Sequence, residues 1–199
     1  VWESKKIFIQ GFIALQIQNT KRDSSWVQLL SQNEVPCIDE VDTRSLVHRL
    51  REGGTPVGAI VHSSGDLSDA DLLNKAKPLI ENIKKLDKDW VFAASRKEKE
   101  IIKGNKSTGP KIAILDFGAK ENIIRELVAR SSEVCVFPSR SSASEIINYK
   151  PQGLMLTNGP GDPSDVQVAV GTVKEILGQL PVFGICMGHQ ILSLALGAK

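Results

Sequence analysis

The chain of 199 residues lacks a long apolar run, a charge excess of either sign and enough cysteines for a disulfide scaffold. No stretch approaches the roughly 18 consecutive apolar residues of a membrane-spanning helix, so we expect no membrane partner. Lysine and arginine number 25 against 23 aspartate and glutamate, which argues against nucleic-acid binding. Three cysteines cannot pair completely and favour a reducing compartment, so we expect a cytoplasmic protein or, in a eukaryote, an organellar one.

What is present is a globular composition, with 41% apolar and 24% charged residues. A polar stretch rich in lysine, glycine and serine divides it, and such stretches typically connect domains. We therefore predict a first domain at 1–95, a solvated linker at 96–110 and a second domain at 111–199. The chain begins without methionine and ends on an apolar helix pattern, so we expect both domains to be incomplete at the outer ends.

The first domain is predicted to mix short strands and helices. Apolar runs predict strands at 7–9, 11–15, 35–38 and 57–61. Leu46, Val47 and Leu50 lie at helical spacing after Asp42 and Thr43, either of which can cap the start of a helix that ends near Glu52. A second helix is expected after Ser68, with an interruption at Pro78.

The second domain is predicted to be an α/β fold. Continuous apolar strands at 111–115, 134–137, 153–157 and 181–185 alternate with segments of helical spacing. Strands without polar alternation are buried on both faces, so helices must cover a parallel sheet on each side. Right-handed crossovers make such a sheet doubly wound, and its ligands bind at the carboxyl ends of the strands.

A cysteine stands at one of these strand ends. Cys186 lies directly between an apolar strand and an apolar helix, with Gly184 and Gly188 two residues to either side. This is the cysteine form of a nucleophile elbow, in which small neighbours permit a strained turn that exposes the thiol. The N–H of Met187 would then face the space where an oxyanion forms. The alternative is a buried inert cysteine, which is how we interpret Cys37 and Cys135.

A second motif follows the neighbouring predicted strand. Asn158-Gly159-Pro160-Gly161 forms a loop whose bare backbone amides can approach a substrate closely. The alternative is a tight turn without function. The loop lacks the Lys-Ser/Thr ending of a phosphate-binding loop, so we do not expect a nucleotide here. Neither Cys37 nor Cys135 has partners at zinc-ligand spacing, and we expect no metal site.

Together the two motifs resemble the class I (triad-type) glutamine amidotransferases. The resemblance rests on the elbow at 182–190 and the loop at 158–163. The segments 39–46, 116–123 and 194–199 narrow it to the small, glutamine-hydrolysing subunits of carbamoyl phosphate synthetase. It implies an α/β architecture with an N-terminal small-subunit domain of mixed strands and helices. The front half of a doubly wound amidotransferase domain would follow.

The resemblance also implies roles for individual residues. Cys186 would attack the carboxamide of L-glutamine and form a glutamyl thioester, while Gly159 and Met187 would supply the oxyanion-hole amides. Glutamine would be held at Gly159, Gly161, Met187 and Gln190. The family's catalytic histidine and glutamate lie downstream of this segment, and we expect His189 to be structural. The chain alone should therefore show no appreciable glutaminase turnover.

The implied partner is the large synthetase subunit, separate or fused. It would use the ammonia, with bicarbonate and two ATP, to make carbamoyl phosphate for pyrimidine and arginine synthesis. ATP and magnesium are expected only in that partner, and no cofactor in this chain. Two alternatives stay open. One is the glutaminase of anthranilate or GMP synthesis, against which the first 110 residues argue. The other is a non-catalytic docking subunit, against which Cys186 argues.

Overall fold

A computed structural model describes residues 3–4, 7–17, 25–52, 56–84 and 89–198 of the chain. The polypeptide divides into two units, one formed by Lys6–Asp87 and the other by Val1–Lys5 together with Lys88–Lys199. None of the helices described there is long and apolar enough to cross a membrane.

The described part of the first unit combines a small parallel sheet with three helices. Strand β1 (Phe12–Ile13) pairs with β2 (Cys37–Ile38), and the helices are α1 (Ser25–Gln32), α2 (Thr43–Glu52) and α3 (Asp69–Lys84). Helix α2 begins as predicted, because the Asp42 carboxylate accepts a hydrogen bond from the Ser45 N–H at 3.0 Å.

Three predictions for this unit are wrong. The apolar runs at 7–9 and 57–61 form no strand in the described chain. A strand needs a partner for its backbone groups, and among the described residues β1 and β2 pair only with each other. Helix α3 is not interrupted at Pro78 but continues to Lys84. Proline removes one hydrogen bond, yet the turns on either side remain and Ser68 caps the first of them.

The second unit is built on a five-stranded sheet in the order β3-β5-β4-β6-β7. The strands are β3 (Glu100–Lys103), β4 (Lys111–Asp116), β5 (Glu133–Pro138), β6 (Gly153–Leu156) and β7 (Val182–Gly184). Strands β4 to β7 are parallel, with Leu115 opposite Leu156 and Leu156 opposite Gly184. Strand β3 pairs antiparallel with β5 at the edge.

Helices cover both faces of this sheet. They are α4 (Trp90–Ala94), α5 (Glu121–Arg130), α6 (Ala143–Asn148), α7 (Gln167–Ile176) and α8 (Met187–Ala195), and a short 3-10 turn lies at Pro163–Asp165. On one face, Ile146, Val173 and Ile191 of α6, α7 and α8 pack in one core with strand residues. On the other face, Ile124 of α5 packs with Ile114 and Val136. The α/β fold class with a parallel, doubly wound sheet is confirmed.

The segment expected to be a linker has more structure than a connector. Residues 100–103 form the edge strand β3, whose Ile102 packs on the core while Ile101 remains exposed. The break between the two units falls between Asp87 and Lys88, and α4 belongs to the second unit. Two of the four residues of this edge strand, Glu100 and Lys103, are charged, so its composition resembles that of a linker.

Candidate active site

Successive strands are added on opposite sides of β4, and the candidate site lies at this point of the sheet. From β4 the chain moves to β5 on one side and then returns to β6 on the other. In doubly wound sheets, ligands bind at the carboxyl ends of the strands near such a switch point. The loop after β4 begins at Phe117 and the loop after β6 begins at Thr157.

Cys186 lies at the same edge, between β7 and α8. Its backbone has φ 52° and ψ −110°, a conformation that non-glycine residues rarely adopt. The residue is exposed, which does not fit the alternative of a buried inert cysteine. By contrast, Cys135 is buried in β5 as predicted. The same prediction for Cys37 is wrong, because Cys37 is exposed in the two-residue strand β2. A strained, exposed cysteine at a strand-to-helix turn has the geometry of a nucleophile elbow.

The two glycines beside Cys186 are required by close backbone contacts. A Cβ atom on Gly184 would lie 2.5 Å from the carbonyl carbon of Gly188. A Cβ atom on Gly188 would lie 2.3 Å from the carbonyl oxygen of Leu156. The Gly188 N–H instead donates to the carbonyl of Thr157 at 2.9 Å. The start of α8 is thereby held against the end of β6.

Several backbone N–H groups at this edge have no acceptor within the part of the chain that the structure describes, and two of them belong to the residues predicted to bind the oxyanion. One belongs to Met187, the first residue of α8, which can have no acceptor inside its own helix. The other belongs to Gly159, in the loop that follows the adjacent strand β6. Unpaired N–H groups near an exposed nucleophile can stabilise a developing oxyanion.

Side chains fix the loop that carries Gly159. The hydroxyl of Thr157 accepts from the Phe117 N–H at 2.9 Å and donates to the Asn158 carbonyl at 2.9 Å. The Asn158 side chain accepts from the Lys120 N–H and donates to the Gly118 carbonyl, both at 3.0 Å. The loops after β4 and β6 are thus joined by three hydrogen bonds.

Both glycines of the loop occupy positions that other residues would not tolerate. A Cβ atom on Gly159 would lie 2.4 Å from the carbonyl oxygen of Phe117. Gly161 has φ 85°, in the left-handed region that favours glycine. The loop is therefore a tight turn and is also pressed against the loop after β4.

Sequence reasoning missed the carboxylate beneath these loops. Asp116 ends β4 and is 1% exposed. One carboxylate oxygen accepts from the N–H groups of Gly118 and Ala119 at 2.9 and 2.8 Å. The other accepts from the Arg96 backbone at 2.9 Å and from its guanidinium at 3.2 Å. A polar residue ending an apolar strand was a signal for Asp116, but nothing in the sequence distinguishes Arg96.

Arg96 is the centre of a charge cluster. Its guanidinium contacts Glu100 at 2.8 Å, Asp116 at 3.2 Å and Glu121 at 3.0 Å. Burial alone would lower the pKa of this guanidinium, but the three carboxylates together raise it. The cluster holds the polar segment before β3 against the carboxyl end of β4.

Gln190, the last residue predicted for the site, lies on the first turn of α8 beside His189, which was predicted to be structural. His189 and Gln190 are both exposed, and the Gln190 N–H donates to the Cys186 carbonyl at 3.0 Å. Across the described ranges, no side chain is hydrogen-bonded to the Cys186 thiol. Those ranges also hold no group of three or more histidine, cysteine, aspartate or glutamate residues suited to a metal ion.

Two protein families match separate parts of the chain. Residues 113–199 match "Glutamine amidotransferase class-I", the region of the parallel sheet and Cys186. Residues 1–60 match "Carbamoyl-phosphate synthase small chain, CPSase domain".

Curated relatives match nearly the whole chain. The carbamoyl phosphate synthase small chain of Clostridium perfringens is 39% identical, covering 99% of this chain and 54% of the relative. That of Porphyra purpurea is also 39% identical, covering 99% and 55%. The rice protein, named as chloroplastic, is 36% identical, covering 99% and 46%. The chain thus spans about half the length of the relatives it matches.

Proposed function

Because this chain belongs to the carbamoyl phosphate synthase small chain family, we propose that it acts as the glutaminase part of a carbamoyl phosphate synthase. The observation that carries the proposal is the exposed Cys186, strained at φ 52° at the junction of β7 and α8. Two unpaired N–H groups, of Met187 and Gly159, lie at the same sheet edge. A nucleophile beside oriented donors is suited to acyl transfer.

In the proposed reaction the Cys186 sulfur attacks the carboxamide carbon of glutamine. The carbonyl oxygen becomes an oxyanion, which accepts hydrogen bonds from Met187 and Gly159. The carbon–nitrogen bond then breaks, the leaving nitrogen takes a proton and departs as ammonia, and a glutamyl thioester remains. Water hydrolyses the thioester, releasing glutamate and restoring the thiol. Gly161 and Gln190 would help hold glutamine.

This chemistry needs a base for the thiol proton and an acid for the leaving nitrogen. The family resemblance assigns these roles to a histidine and a glutamate downstream of residue 199. We therefore expect the 199-residue chain alone to release glutamate no faster than buffer does, whereas the native polypeptide that contains it should turn over. Glutamate release by the isolated chain at a rate near that of the native polypeptide would contradict the expectation that the base and the acid lie outside residues 1–199.

The wider role is part of the same proposal. Ammonia would pass to a large synthetase subunit, separate or fused, which makes carbamoyl phosphate from bicarbonate and two ATP for pyrimidine and arginine synthesis. ATP and magnesium would bind only to that subunit. We propose a cytoplasmic location, with an organelle as the alternative, since the rice relative is named as chloroplastic.

The proposal is tested by substituting the nucleophile in the native polypeptide. Cys186→Ser should lower glutamine hydrolysis by about 10³-fold or more, because a hydroxyl without a strong base is a weak nucleophile. Cys37→Ser is the matched control, since Cys37 is also exposed but lies in the other unit. It should retain full activity. Equal glutamate release by both variants would refute Cys186 as nucleophile.

Two further readouts separate this role from the alternatives. An electrophilic glutamine analogue should label Cys186 in the native polypeptide, with peptide mass spectrometry as the readout. A folded polypeptide that neither binds the label nor releases glutamate would favour a non-catalytic docking subunit. Glutamine-dependent formation of carbamoyl phosphate with the large subunit should be observed. Its absence, with glutaminase activity retained, would favour another amidotransferase.

A further inference from the structure

A short segment ahead of β3 lies against both loops of the candidate site. We call residues 89–96 the strap. Its helix α4 is anchored by Val91, which is 1% exposed and belongs to the core. Ala94 lies 3.1 Å from where a Cβ of Gly118 would be, and Trp90 lies 3.4 Å from the equivalent position at Gly161. The strap therefore contacts the loop after β4 and the loop after β6.

The end of the strap is tied to the ends of two strands. The hydroxyl of Ser95 accepts from the N–H of Ser139, just after β5, at 2.9 Å. The backbone N–H of Arg96 donates to Asp116, the last residue of β4, at 2.9 Å. These contacts cross the carboxyl edge of the sheet, where the candidate nucleophile also lies.

A continuous set of hydrogen bonds leads from Arg96 towards the candidate oxyanion donor. Arg96 holds one oxygen of Asp116, and the other oxygen accepts from the N–H of Gly118 at 2.9 Å. The carbonyl of Gly118 accepts from the Asn158 side chain at 3.0 Å. Asn158 directly precedes Gly159, whose N–H has no acceptor among the described residues.

We propose that Arg96 is a positioning residue, which acts through Asp116 and Asn158 to set the Gly159 N–H for the oxyanion. This inference rests on the proposed glutaminase function. The shape of the guanidinium is essential, since its three nitrogens contact three different carboxylates, at Glu100, Asp116 and Glu121. Lysine offers a single nitrogen and cannot reproduce a planar fork.

The test compares Arg96→Lys and Arg96→Gln with the native polypeptide in steady-state glutamine hydrolysis. Both variants should lower kcat on the order of 10- to 100-fold, less than the removal of an oxyanion donor. KM for glutamine should change by less than about threefold, because the oxyanion contact exists only in the transition state. Arg96→Lys should not restore kcat, although it restores the charge.

Glu133→Gln provides a matched control. Glu133 pairs with Lys111 at 3.2 Å at the opposite end of β4, so the variant also removes an ion pair from this sheet. It should lower the melting temperature and leave kcat unchanged. If the Arg96 variants also lower the melting temperature but keep the native kcat, their role is structural and the positioning inference is overturned.

Asn158→Ala tests the same connection without changing the charge cluster around Arg96. It removes the bond to Gly118 without touching Arg96, and it should reproduce the fall in kcat. The double variant with Arg96→Gln should lose no more than the larger single loss, since both changes interrupt one connection. Native kcat in Asn158→Ala, or fully additive losses, would overturn the inference. A native polypeptide that releases no glutamate overturns the proposed function itself.

Discussion

The contact between α8 and β6 allows a quantitative test of the elbow with Gly188→Ala. The added methyl group would lie 2.3 Å from the Leu156 carbonyl oxygen, so helix α8 must retreat. Retreat stretches the 2.9 Å hydrogen bond from the Gly188 N–H to Thr157. Overpacking costs about 1–3 kcal/mol and a lost hydrogen bond about 1 kcal/mol. Alanine returns about 1 kcal/mol of helix propensity. We expect a net loss of about 1–3 kcal/mol in the free energy of unfolding.

The chain contains a matched control in Gly171→Ala. Gly171 lies within α7, and a Cβ atom there would meet nothing within 4 Å. The same substitution should therefore stabilise the protein by up to about 1 kcal/mol, because glycine is the poorer helix former. Urea unfolding of the native polypeptide, followed by circular dichroism, measures both changes.

The two glycine variants should also differ in activity. Retreat of α8 in Gly188→Ala moves the N–H of Met187, so glutamine hydrolysis should fall further than the folded fraction does. Gly171→Ala should keep native activity, since its helix is changed only on an open face. If the two variants shift the urea midpoint in the same direction and to the same extent, the close approach of α8 to β6 is refuted.

Two further predictions concern groups that can titrate. Iodoacetamide at neutral pH should modify Cys186 and Cys37 but spare Cys135, because burial raises the pKa of the Cys135 thiol to about 11. Equal labelling of the three cysteines, measured by peptide mass spectrometry, would contradict this. Burial and a hydrogen bond to Glu133 raise the pKa of the Tyr149 hydroxyl, so the folded state holds that proton more tightly than the unfolded state. Stability measured by urea unfolding should therefore decline as the pH rises above the ordinary tyrosine value, and less steeply in Tyr149→Phe.

The parallel sheet could be predicted because its signal is local. Strands β4 and β5 consist of continuous apolar runs, and both are buried on their central residues. Such runs need helices on both faces, which the spacing of α5 to α8 supplies. The first unit was harder to predict. Its run at 57–61 is just as apolar, but no described strand pairs with it. Apolar residues alone do not decide whether a pairing partner exists.

The nucleophile elbow could also be predicted, because its signal is local in the sequence. The contacts that hold the neighbouring loop in place could not be predicted. Gly184 and Gly188 flank Cys186 within five residues, so the need for small side chains is visible in the sequence. Asn158, in contrast, bonds to Gly118 and Lys120, about 40 residues away. The sequence predicts a loop of exposed amides there. It does not reveal what holds the loop.

The strap was missed because its residues carry no periodic signal. Helix α4 has five residues, too few for a helical repeat, and Arg96 lies in a run of alternating charges that predicts a solvated connector. Its partners Asp116 and Glu121 are 20 and 25 residues further along the chain. Only the fold brings this arginine to the carboxyl end of β4.

The conformation of Cys186 can persist only if the surrounding structure opposes its relaxation. A non-glycine residue in such a region costs on the order of 1–3 kcal/mol. Hydrogen bonds on both sides hold it in place: the Ile185 N–H donates to Leu156 at 3.0 Å, and the Gln190 N–H donates to the Cys186 carbonyl at 3.0 Å. The Gly188 N–H bond to Thr157 adds a third restraint. The elbow is thus fixed by β6 and by its own helix. Because β6 ends in the loop that Asn158 ties to β4, the thiol and the Gly159 amide are positioned from one strand.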